Sequence, residues 1–118
     1  MKTLIIAEAG VNHNGSVSNA LDLIDAAISA GADIVKFQTF KAASIATANA
    51  KMAEYQRNID DSNQNQYEML KRLELNQKEH YQLKDYCIGK KIEFLSTGFD
   101  IESLEFLIAL GIKRIKIP

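Results

Sequence analysis

The sequence predicts a parallel α/β fold built from about four β/α units, half of a (β/α)8 barrel. Three observations lead there. Helical patterns alternate with short strand-like runs, and a glycine recurs at the joint: helix, Gly31, strand; helix, Gly89, strand; helix, Gly111, strand. Such alternation marks parallel sheets with helical crossovers. The first run, residues 3–7, is apolar without a break, as in a strand covered on both faces. Polar and charged residues gather where strands end: Glu8, Lys36 with Gln38, Thr97, and Lys116. Right-handed crossovers bring those ends to one edge, the edge at which parallel α/β proteins bind ligands.

The elements follow in order. After the run at 3–7, a tight loop spans residues 9–15 and carries two glycines. Its Gly10 to Gly15 spacing mimics a phosphate-binding loop, but Ser16 stands in place of the lysine, so the match is spurious and the glycines serve turn geometry. Ser16 is placed to cap a helix in which Val17, Ala20, Leu21, Ile24, Ala27 and Ile28 recur at helical spacing. Gly31 closes it. A strand over 34–40 comes next, then a long excursion over 41–64. Excursions of that length inside compact domains are functional loops or disordered. A helix over 66–73 precedes a second one opened by an Asn76/Glu79 capping box and ended by Gly89. A third strand over 92–97, a helix capped by Asp100 and ended by Gly111, and a fourth strand over 113–117 complete the pattern.

Residues 34–40 are the most informative. Side chains alternate faces along a strand, so Val35, Phe37 and Thr39 share one face while Ile34, Lys36 and Gln38 share the other. Taken alone, Lys36 fits either a solvated sheet face or an anion site, because a lysine removed from water needs an answering group. The polar residues at three further strand ends favour the anion site.

Composition narrows the class. The 118 residues suffice for one small domain with a core. A net charge of −1 gives no reason to invoke nucleic acid or an anionic membrane. No apolar run has the length of a membrane span, and no signal-peptide pattern opens the chain, so a cytoplasmic protein is expected. Cys87, the single cysteine, sits in a helical pattern and reads as a small core residue. Four strands leave two sheet edges and an apolar inner face uncovered, so the expectation is a partial barrel that needs a further half or a partner.

Three segments carry a family resemblance: Ala7-Glu8-Ala9-Gly10-Val11-Asn12-His13-Asn14-Gly15, Gly31-Ala32-Asp33-Ile34-Val35-Lys36-Phe37-Gln38-Thr39-Phe40, and Phe94-Leu95-Ser96-Thr97-Gly98-Phe99-Asp100. In this order and at matching strand ends they resemble the N-terminal half of the catalytic barrel of the sialic acid (N-acetylneuraminate) synthase family. The resemblance spans essentially residues 1–118 as one partial barrel domain. It implies condensation of phosphoenolpyruvate with N-acetylmannosamine or a related N-acetylated aldose, releasing phosphate, in a homodimer. It also implies a divalent metal (Mn or Mg) that polarises the sugar aldehyde. The enol carbon attacks that aldehyde, water adds at the carbon bearing the phosphate, and phosphate leaves with C–O cleavage. Legionaminic acid and spore-coat polysaccharide synthases share these motifs, so the sugar stays open.

By the same resemblance, Lys36, Thr97 and Lys116 would hold phosphoenolpyruvate, Gln38 would contact the sugar, and Glu8 would lie near the reacting carbons and manage protons. Two ammonium groups and a hydroxyl suit a ligand bearing phosphate and carboxylate. Asn58 or Asn63 is a candidate for a further sugar contact. The metal-binding histidines and the C-terminal antifreeze-like domain of the family have no counterpart among these residues, so the 118 residues by themselves are not expected to turn over. His13 reads as a hydrogen-bonded loop histidine, and His80 as a helix residue facing solvent or neighbours. Gly98 stands where members usually carry proline and is expected to loosen the turn after the third strand. A non-catalytic half-barrel that self-associates or binds a partner is the alternative from another class.

Overall fold

The structure, a computed structural model, describes residues 2–46 and 62–118. Among them a three-stranded parallel sheet forms in the order β1-β2-β3: β1 (Ile6–Gly10), β2 (Ile34–Thr39) and β3 (Glu93–Gly98). Helix α1 (Val17–Ser29) crosses from β1 to β2. After β2 the chain makes a helical turn over 42–46, then continues through α2 (Ser62–Leu73) and α3 (Gln77–Lys90) into β3, and α4 (Ile101–Leu110) follows. The predicted α/β alternation and parallel pairing are therefore present.

The register puts Ile6 beside Ile34, Glu8 beside Lys36 and Lys36 beside Leu95, with Gln38 beside Thr97. Paired residues of neighbouring strands face the same way, so the two faces of β2 extend over the sheet. On one face, Val35, Phe37 and Phe94 pack with Ala20, Ile24, Leu83, Cys87 and Leu107 into the core. Phe37 stacks on Phe94 with centroids 5.9 Å apart. The opposite face carries Glu8, Lys36, Gln38 and Thr97.

The local signals hold at most joints. Ser16 accepts a hydrogen bond from Asn19 N, Asn76 and Glu79 form the reciprocal capping box, and Asp100 accepts from Ser103 N. Gly31 follows the end of α1, and Gly111 ends α4. Helix α3 differs: it runs through Gly89 to Lys90, and Lys91 takes the left-handed conformation at φ 62°. Its capping bonds to Cys87 O and Ile88 O replace the glycine stop.

Three expectations need correcting. The first strand is shifted, at Ile6–Gly10 rather than 3–7, because the Asp33 carboxylate takes the Ile5 N–H at 2.9 Å and the ladder starts beyond it. No fourth strand pairs with β3: residues 113–118 have no regular structure and are exposed. The segment still lies beside β3, where Arg114 grips Glu93 at 2.7 Å. Ile115 and Ile117 stay 54% and 72% exposed, so too little apolar surface is buried to seat it as a ladder strand. Gly98, finally, does not loosen its turn. A Cβ there would meet Leu104 N at 2.9 Å, so α4 packs directly on the glycine backbone.

Candidate active site

Register fixes the site. Glu8 and Lys36 are cross-strand neighbours, and their side chains form an ion pair, Nζ to Oε2 at 2.9 Å. The Lys36 side chain is only 17% exposed, whereas that of Glu8 is 48% exposed. A lysine that far from water needs an anion, and here a carboxylate supplies it. Half-exposed pairs of this kind contribute about 0–1 kcal/mol, so the pair orients Lys36 more than it stabilises the fold.

Two residues on, Gln38 and the buried Thr97 sit side by side on the same face. Lys116 reaches the group from the irregular tail, its ammonium donating to Ile117 O at 2.7 Å. Glu8, Lys36, Gln38, Thr97, Phe99, Lys116 and Pro118 line one open pocket of about 440 Å³ at the C-terminal end of the strands. The structure thus brings all five sequence-predicted side chains together, including Lys116, whose strand does not form. Two ammonium groups against one carboxylate leave the pocket net positive, suited to an anionic ligand.

Gly10 shapes the rim. β1 shifts register between Glu8 and Gly10, and Gly10 adopts φ +57°. A Cβ there would lie 3.2 Å from Glu8 Oε1 and 3.6 Å from Gln38 Nε2. The missing side chain leaves room above the backbone for both the carboxylate and the amide.

The loops beyond the strands are tied together. Asp100 Oδ2 accepts from Lys41 N, and Phe99 N donates to Thr39 O at 3.0 Å, linking the ends of β2 and β3. The second role of Asp100 and the position of Phe99 in the pocket were not foreseen from sequence. Asp100 carries only a helix-cap signal, and Phe99 no signal beyond its place after a strand end. Asn58 lies outside the described residues; Asn63 falls in α2, and its side chain is outside them as well.

Of the two surroundings expected for His80, solvent or neighbours, the structure shows neighbours. His80 is buried, with Nδ1 2.7 Å from Asn76 O and Nε2 2.8 Å from Thr39 Oγ1. A carbonyl oxygen only accepts, so Nδ1 carries the proton and Nε2 accepts from the Thr39 hydroxyl. Thr39 in turn lies 2.6 Å from Ser96 Oγ. Burial holds His80 below the ordinary histidine pKa, against an opposing pull from the bond to Asn76. His13 is also buried; Gly15 N donates to its Nδ1 at 2.8 Å, while Nε2 has no partner. Burial, and next the nearby His80, hold His13 below its ordinary value. Burial pushes the Cys87 thiol up to about 12, which leaves it inert as a nucleophile.

No group of three or more His, Cys, Asp or Glu side chains gathers to hold a metal ion among the described residues. His13 and His80 lie on the helix-covered side, away from the pocket, with three of their four ring nitrogens engaged. These residues do not fit the divalent metal that the family resemblance implies. No helix among the described residues is long and apolar enough to cross a membrane. A second groove, of about 480 Å³, lies at the opposite end of the sheet between Asp33, Lys84, Glu93 and Lys113. No strand C-terminus reaches it.

The profile of the NeuB family matches residues 23–118. The chain is 53% identical to N,N'-diacetyllegionaminic acid synthase of Legionella pneumophila, over all of this chain and 33% of that protein. It is 49% identical to the enzyme of the same name from Campylobacter jejuni, over 99% of this chain and 35% of that one. The chain therefore spans about a third of the length of these relatives. The N-acetylneuraminic acid (sialic acid) synthetase of Leptospira borgpetersenii superimposes with a TM-score of 0.76 at 32% identity, covering 98% of this chain and 36% of that structure. By sequence and by fold, the chain belongs to the NeuB family, that of the sialic acid synthases.

Proposed function

We propose that the intact protein is a cytoplasmic enzyme that condenses phosphoenolpyruvate with an N-acetylated aldose to give a sialic acid-type 2-keto sugar acid and phosphate. The observation that carries this reading is the convergence of Lys36, Lys116, Thr97, Gln38 and Glu8 on one strand-end pocket. In this reading the two ammonium groups and the Thr97 hydroxyl hold the phosphate and carboxylate of phosphoenolpyruvate by charge-assisted hydrogen bonds. Gln38 orients the sugar, and Glu8 handles protons at the reacting carbons. The enol carbon bonds to the aldehyde carbon, water adds at the phosphate-bearing carbon, and phosphate leaves with its oxygen. These residues contribute alignment and electrostatic stabilisation.

In this reading the divalent metal takes its ligands from outside the described residues, among which no group of three or more candidate ligands gathers. We also propose the family's homodimer for the intact protein. For the sugar, identities of 53% and 49% to two N,N'-diacetyllegionaminic acid synthases favour a diacetylated aldose over N-acetylmannosamine itself. A phosphate-release assay on the intact protein, with phosphoenolpyruvate, metal and each aldose, tests the reading. Release that depends on both substrates is expected, fastest with the diacetylated sugar. An intact protein that leaves phosphoenolpyruvate untouched with every aldose refutes it.

A non-catalytic, self-associating half-barrel is the second reading. It is favoured by the exposed Leu4, Ile5 and Ile6 on one side of the sheet and Ile115 and Ile117 on the other.

A further inference from the structure

We infer that Glu8 is the built-in occupant of the anion site, holding Lys36 until an incoming anion displaces it. This rests on the assignment of Lys36 to an anionic substrate group. The pairing is dictated by the sheet, since Glu8 and Lys36 are register neighbours on the same face. Their contact of 2.9 Å places a carboxylate on one of the three N–H donors of the Lys36 ammonium in the resting protein. An anion that takes that position displaces the carboxylate, and one that binds beside it meets its negative charge.

The asymmetry of burial says which partner moves. Lys36, at 17% exposure, is held by its surroundings, and Glu8, at 48%, is free to swing. The space it needs lies above Gly10, which carries no side chain and where an added Cβ would come within 3.2 Å of Glu8 Oε1 and 3.6 Å of Gln38 Nε2. Displacement thus moves the carboxylate off the anion-binding lysine and into the space above Gly10. Glu8 is a positioning residue in this step: it keeps Lys36 aimed while the pocket is empty, at a cost in anion affinity.

The test is inorganic phosphate binding to the intact protein, followed by titration calorimetry, for the wild type, Glu8→Gln, Lys36→Met and the double variant. Glu8→Gln is expected to bind phosphate about two- to fivefold more tightly, the fold-change equivalent of a partly exposed ion pair. Its turnover falls at the same time. The double variant is expected to lose the gain. Misfolding does not raise affinity, so the sign separates this role from a structural one. Should Glu8→Gln not fold, Glu8→Asp, a methylene too short to reach Lys36, is expected to show the same gain. Binding that Lys36→Met weakens but Glu8→Gln leaves unchanged or weaker overturns the inference alone. Binding indifferent to Lys36→Met removes Lys36 from the site and overturns the inference together with the assignment beneath it.

Discussion

Lys36 owes its chemistry to its neighbours. A lysine 17% exposed on a sheet face has one carboxylate within reach and an amide two residues on. Removing a charge-assisted hydrogen bond to a ligand costs about 1.5–3 kcal/mol, or roughly ten- to 100-fold. Lys36→Met in the intact protein is therefore expected to lower kcat/KM for phosphoenolpyruvate by at least tenfold while leaving the melting temperature nearly unchanged. A loss of stability with no change in kcat/KM would contradict that. His80 and His13 make a second residue-scale prediction. Both are buried and held below the ordinary histidine value of 6.5. Between that value and their folded values, the unfolded chain binds more protons than the folded one. Their contribution is therefore full above about pH 6.5 and is lost as pH falls below it. Urea midpoints are expected to drop between pH 6.5 and 5.5, well above the range in which Asp33 is protonated. A midpoint that is flat over that interval would refute it.

At the scale of elements, α3 shows what a sequence signal conveys and what it omits. A glycine after an apolar helical pattern reads as a stop, but Gly89 lies inside the helix and Lys91 makes the left-handed turn. A Cβ on Gly89 would meet nothing within 4 Å. Gly89→Ala is thus expected to stabilise the protein by about 0.5–1 kcal/mol, measured by urea denaturation. Gly98 behaves oppositely. Its added methyl would press on the Leu104 backbone, and Gly98→Ala is expected to cost about 1–3 kcal/mol as α4 is pushed outward. Equal effects at the two glycines would contradict this packing account.

The two faces of β2, the Asn76/Glu79 box and the Ser16 and Asp100 caps were readable because each depends on residues a few positions apart. The Glu8–Lys36 pair was not readable as a contact, since it depends on the register between strands 28 residues apart in number. Which of solvent and neighbours His80 faces was not readable for the same reason. Its partner Thr39 lies on another element, and α3 carries too many polar residues for its buried side to stand out. The fourth strand has a strand-like sequence but lacks a surface against which Ile115 and Ile117 could be buried.

For the whole molecule, three strands support a pocket with one wall. β1, β2 and β3 set the positions of Glu8, Lys36, Gln38 and Thr97, and Lys116 arrives on an exposed tail. The chain covers about a third of its relatives' length. The 118 residues in isolation are therefore expected to show no turnover and to associate through their exposed isoleucines. Sedimentation of a stable monomer that binds no hydrophobic dye would contradict the second part. In the proposed function the strand-end cluster binds phosphoenolpyruvate through Lys36. The most direct measurement is a calorimetric titration of phosphoenolpyruvate into the intact protein and into its Lys36→Met variant. One site per chain, weakened at least tenfold by the substitution, is the predicted result. Equal binding by the two proteins, or none by the wild type, would contradict it.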